Sequence, residues 1–143
     1  MVLFNLLRGG EWLRIFKVAL LSLLDVVLLG CNEKTDALAK VSISIGAEFG
    51  KINPDFIKKY QDEESLTLFQ QAIVTAVKNE GIVNMASPEY DVQIIDKAGN
   101  NYDYHLWLGD KGQNSSLMHV KDTHTIYTIS EEFSEKLAAL VHL

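Results

Sequence analysis

Apolar and polar residues alternate from Val41 to Phe49: Val41, Ile43, Ile45, Ala47 and Phe49 are separated by Ser42, Ser44, Gly46 and Glu48. A period of two marks a strand with one face buried. Gly50 to Asn53 follows as a turn. Pro54 to Tyr60 leaves two readings open, a short helix begun at Asn53-Pro54 or an edge strand over Phe56 to Tyr60. From Asp62-Glu63-Glu64 the period lengthens. Leu66, Phe69, Ile73, Ala76 and Val77 then fall on one helical face, with acidic residues at the positive end, Lys78 near the negative end and Gly81 as the stop. Tyr90–Asp96 and Asn101–Leu108 flank the turn Lys97-Ala98-Gly99-Asn100, which is a hairpin signature. Leu117–Lys121 and Thr125–Ile129 flank Asp122-Thr123-His124 in the same way. Ser130 caps a last helix that buries Phe133, Leu137, Leu140 and Val141.

This order of elements predicts an α+β fold, a mainly antiparallel sheet of about five strands with two helices on one face. On the strand Asn101–Leu108, Tyr102, Tyr104, Leu106 and Leu108 face the helices, and Asp103, His105 and Trp107 face away. The predicted globular domain spans residues 41–143, with Asn32 to Lys40 as a polar tether.

The first thirty residues have a different pattern. Arg14 and Lys17 precede the apolar run Val18–Leu29, which ends in Gly30 and Cys31, the order of a secretory signal. As a helix the run would rise about 18 Å, short of roughly 30 Å of hydrocarbon. Leu28-Leu29-Gly30-Cys31 resembles the lipobox of bacterial lipoproteins, in which a signal peptidase cuts between the residues matching Gly30 and Cys31 and the cysteine carries a diacylglyceryl group. Two acyl chains anchor stably where one does not. Residues 1–30 are therefore expected to be a lipoprotein signal peptide. Arg8-Gly9-Gly10-Glu11 can be encoded by a purine-rich run resembling a ribosome-binding site, and Leu13 by TTG or CTG. Position 13 is thus an alternative translation start.

Charge narrows the partners. The chain has 13 Lys and Arg against 19 Asp and Glu, a net charge of −6, and residues 1–30 hold only three basic and two acidic residues. The part after Cys31 is thus strongly acidic and would be repelled by a phosphate backbone, so no nucleic-acid partner is expected. Cys31 is the only cysteine, which excludes an intramolecular disulfide.

Candidate chemistry is sparse. No phosphate-binding glycine loop, CxxC pair, HExxH helix or nucleophile elbow occurs. His119, Asp122 and His124 lie around one hairpin turn, and with His105 on the adjacent strand they offer three or four His and Asp ligands for zinc. Asp122 and Thr123 are also ordinary turn formers, and strand histidines often satisfy polar neighbours. No metal or other cofactor is therefore expected, and a metal-binding or metal-delivery protein using His119, His124 and their neighbours is the alternative. Trp107 and His105, on the sheet face away from the helices, are candidate partner anchors together with Asp110 in the loop Gly109–Ser116 and with His124. Trp107 covering the open sheet or packing under that loop is the competing structural reading.

From Ile82 to the end, the segments GIVNMASPEYDVQI and YHLWLGDKGQNSSLMHVKDTHTIYTIS and the closing helix resemble the YhfM-like domain family, lipoproteins of Bacillus and related Gram-positive bacteria; the likeness extends back to Phe49. The resemblance implies a small domain held by lipid on the outer face of the cytoplasmic membrane. It brings no activity, cofactor or site residue except the lipid-bearing Cys31. The expected function is an interaction module at the cell surface, partnered by the membrane through Cys31 and by a cell-surface protein or cell-wall component. An enzyme is not expected, with a hydrolase as the lesser alternative.

Overall fold

The computed structural model describes residues 36–79 and 84–142. The signal-peptide positions Gly30 and Cys31, and the helix stop expected at Gly81, lie outside them. The described residues form β1 (Leu38–Ile45), β2 (Lys58–Tyr60), α1 (Glu63–Val74), β3 (Val77–Asn79), β4 (Tyr90–Asp96), β5 (Asn101–Trp107), β6 (Ser115–His119), β7 (Ile126–Ile129) and α2 (Glu131–Val141). All strands join one antiparallel sheet in the order β2-β1-β4-β5-β6-β7-β3. The α+β class holds, but with seven strands rather than about five.

The additional strands are the two short edges. Pro54–Tyr60 resolves to the edge-strand reading, with Lys58–Tyr60 pairing Val41–Ile43. At the other edge, the helix expected to run to Gly81 stops at Val74. Thr75 turns its hydroxyl and its N–H onto the Gln71 carbonyl, and Val77–Asn79 becomes β3 along β7. This pairing supplies partners to backbone groups of Ile126–Thr128 that would otherwise form an open edge. Val77, expected on the buried helix face, is 65 % exposed.

β1 also starts three residues earlier than Val41. Leu38 is buried opposite Asp96, and Lys97 N–H donates to the Ala37 carbonyl at 2.9 Å. The strand ends at Ile45 instead of Phe49: Gly46 N–H still reaches the Glu89 carbonyl, but Ala47 N–H goes to the Asp91 carboxylate and the chain leaves the sheet.

One sheet face carries both helices. Val41, Ile43, Val92, Ile94, Leu106, Leu117 and Ile129 form one core with Phe69 and Ala72 of α1 and Leu137 and Val141 of α2. Asp62 caps α1 by accepting from Ser65 N–H, and that bond holds its carboxyl below the usual range. Ser130 precedes α2 without a side-chain cap bond; Ser134 instead donates its hydroxyl to the Ser130 carbonyl and accepts from Ser115 N–H, tying helix to sheet. The exposed-end carbonyl of Leu140 receives Lys58 Nζ at 2.8 Å and Tyr60 Oη at 2.6 Å. A cation there complements the negative end of the helix dipole.

Candidate functional site

The sheet face away from the helices carries an unusual row. Register places Ser44, Asp91, His105 and Met118 side by side across β1, β4, β5 and β6. Ser44, Asp91 and His105 are all fully buried. They are covered by Gly46–Asn53, the first part of the β1–β2 connection. Asp91 Oδ2 accepts from Ala47 N–H at 2.9 Å and Asn53 N–H at 2.8 Å, and its Oδ1 lies 2.7 Å from His105 Nδ1. Gly50 N–H reaches His105 Nε2 at 3.2 Å. Ser44 Oγ donates to the Asn53 carbonyl at 2.7 Å, and Asn53 Nδ2 donates back to the Ile45 carbonyl at 3.1 Å.

These bonds fix the protonation of the ring. A backbone N–H only donates, so Nε2 accepts and carries no proton. An ionised carboxylate only accepts, so Nδ1 carries the proton. His105 is thus the neutral Nδ1–H tautomer, oriented by Asp91. Asp–His is the pairing that orients a general base, but here the lone pair such a base would use is taken by Gly50, and Ser44 lies beyond the carboxylate instead of at Nε2.

Aromatic packing completes the cover. The Phe49 ring lies 5.8 Å from His105 and 6.1 Å from Trp107. Trp107 Nε1 donates to the carbonyls of Ala86 and Ser87, both at 3.1 Å, and its ring joins Met118, Ile126 and Met85 in a second apolar cluster. Gly46 is needed where the two covering segments meet, since a Cβ there would sit 2.1 Å from the Pro88 carbonyl oxygen.

The geometry corrects the expected partner surface. His105 is 0 % and Trp107 7 % exposed, so neither is an accessible anchor. Alternation alone predicts an open face because the covering segments have no regular pattern; Ser44, Asp91 and His105 are buried there with hydrogen-bond partners, and Ser42 Oγ without one among the described residues. Asp110 lies elsewhere. It lines an open cleft of about 520 Å³ between the β5–β6 loop and α2, with Lys111, Gln113, Glu135 and His142. His124 is exposed in the β6–β7 turn, at the opposite end of the strands from Trp107.

The metal-ligand set does not assemble either. His119 is in register with Tyr104 and His105 with Met118, so the two histidines point to opposite faces of the sheet. His119 Nδ1 accepts from Lys121 N–H. Asp122 is held below the usual carboxylate range by the Thr125 side chain and then by His124 N–H, as a turn former. Among the described residues no group of three or more His, Cys, Asp or Glu is placed to hold a metal ion.

What the pattern missed is at one end of the sheet. Ile45 is 55 %, Phe49 41 % and Ile57 55 % exposed. Ile45 ends β1, and Phe49 and Ile57 belong to the connection that follows it. Periodicity had placed Ile45 and Phe49 on the core side; only the end of the strand at Ile45 removes them from it.

No helix among the described residues is long and apolar enough to cross a membrane. Comparison with curated proteins gives no match. A solved structure titled as a thioesterase-like protein from Clostridium sporogenes is similar in fold, with a TM-score of 0.56 and 20 % identity, covering 73 % of this chain and 94 % of that one. At that identity the likeness concerns the fold alone. The expectation that the chain is not an enzyme is corrected at the level of the scaffold, since a thioesterase-like protein is built on a similar fold. The family model described as YhfM protein matches residues 47–142, more than half of the chain and nearly all of its folded part. The chain belongs to the YhfM protein family.

Proposed function

We propose that this is a lipid-anchored domain on the outer face of the cytoplasmic membrane, where it binds a cell-surface protein or cell-wall component through the end of its sheet opposite the start of β1. The apolar run Val18–Leu29, the small Gly30 and the single Cys31 support the anchor. The observation that carries the binding end is the position of Ile45, Phe49 and Ile57. The chain coming from Cys31 enters β1 at Leu38, and these three exposed apolar residues lie around its other end, roughly 23 Å along the strand. Three exposed apolar side chains at one end of the strands suit a docking surface. A photo-crosslinking residue at position 49, in intact cells, is expected to give a discrete adduct that the same residue at Lys97 does not. Equal adducts from both positions, or none from position 49, would contradict the reading.

Thioesterase-like hydrolysis is a second reading, favoured by the shared fold and by the Asp91–His105 pair. It requires Gly50 to leave Nε2, so that the imidazole can activate water. Turnover of an acyl thioester that is lost in His105→Gln supports it; turnover unchanged in that variant removes His105 from the reaction.

A further inference from the structure

We infer that Asp91 and His105 form a proton-controlled latch that holds the Phe49–Gly50 tip of the Gly46–Asn53 loop over Trp107 at neutral pH and releases that tip on acidification, with the sheet, the helices and the bonds from Asp91 to Ala47 and Asn53 intact. The proposal stands on the geometry of the pair and its loop. Gly50 N–H can be accepted at 3.2 Å only while Nε2 is unprotonated. A proton on Nε2 would set two donors face to face, and that contact can be relieved only by moving the loop or the ring. The ring is held on its other side by Asp91 at 2.7 Å, a bond that strengthens when the imidazole becomes cationic. The loop therefore yields. Its tip is the part that depends on His105: Gly50 has φ +80° with nothing within 4 Å of a Cβ placed there, and Phe49 is 41 % exposed.

The sign follows from counting protons. The closed form holds a neutral ring and the released form accepts one more proton, so acid favours release and raising the pH favours closure.

The other charges nearby do not replace it in this role. From β4 the facing group is Asp91, and from β6 it is the uncharged Met118. Ser44 of β1 is bonded to the loop itself. On β5, Asp103 is engaged by Gln93 Nε2 and Asn101 Nδ2. In the loop, Glu48 and Lys51 pair with each other at 3.2 Å and are 84 % and 73 % exposed. In the second covering segment, Glu89 accepts from Leu108 N–H.

Release would uncover the indole face that Phe49 now packs against. The chain has two tryptophans, Trp12 and Trp107, so the full chain carrying Trp12→Phe, in detergent micelles, reports on Trp107 alone. Acrylamide quenching of its fluorescence is expected to rise severalfold from pH 7.5 to pH 5 while the far-ultraviolet circular dichroism stays constant. In His105→Gln the amide oxygen can accept from Gly50 at either pH, and the rise should vanish. Asp91→Asn keeps an acceptor for Ala47 and Asn53 but offers His105 a donor. That moves the ring proton to Nε2, so the variant should be quenched at pH 7.5 as the parent is at pH 5. Quenching that does not rise with acid, that rises only with loss of the dichroism signal, or that rises equally in His105→Gln would overturn the latch; so would Asp91→Asn as well shielded at pH 7.5 as its parent.

Discussion

Asp91 accepts from two loop amides and faces the ring of His105, from a position with no exposure. A buried carboxylate is tolerated only when its lone pairs are used, and here they join a long connection to the sheet. Removing it leaves two backbone N–H groups and an imidazole N–H without their acceptor. Asp91→Ala should therefore cost about 3–5 kcal/mol of stability, the scale of breaking a buried pair. Urea unfolding monitored by circular dichroism measures this. A loss within the roughly 0.5 kcal/mol typical of surface changes would show that the loop has other sufficient attachments. The pair could be found in the sequence. With the turn at Lys97–Asn100 and Ile95 opposite Asn101, counting back along the hairpin sets Asp91 opposite His105. The amides that complete the site could not be found, because a backbone N–H leaves no mark on a residue pattern.

The elements themselves were legible to different degrees. The β4–β5 hairpin was readable because its turn residues and its alternation agree, and β5 ends within one residue of the expected Leu108. α1 was readable at its start, where Asp62 caps it, and not at its end. Ala76 and Val77 continue the apolar helical spacing, yet they lie beyond the point where Thr75 ends the helix, and Val77 pairs with Thr128 instead. A three-residue strand has too little sequence for its period to show, and its existence is decided by the edge of β7 waiting to be paired. The same holds for β2, where the pattern left two readings and the register with Val41–Ile43 chose between them. The open sheet face was misread for a related reason: Phe49 and the segment ending in Pro88 and Glu89 cover it from outside any regular element.

At the scale of the molecule, the fold separates two ends. Leu38, the Lys97–Asn100 turn and the His119–Thr125 turn lie at the end where the chain enters. The Phe49 loop, the Gly109–Asn114 loop and the C-terminus of α2 gather at the other, where Tyr90 Oη meets His142 Nδ1 at 3.4 Å. The proposed attachment to the membrane depends on a lipid at Cys31. Metabolic labelling with a fatty acid, read on the protein purified from cells, tests it most directly. The account predicts label in the wild type and none in Cys31→Ser, whereas equal labelling of the two, or none in either, would contradict it.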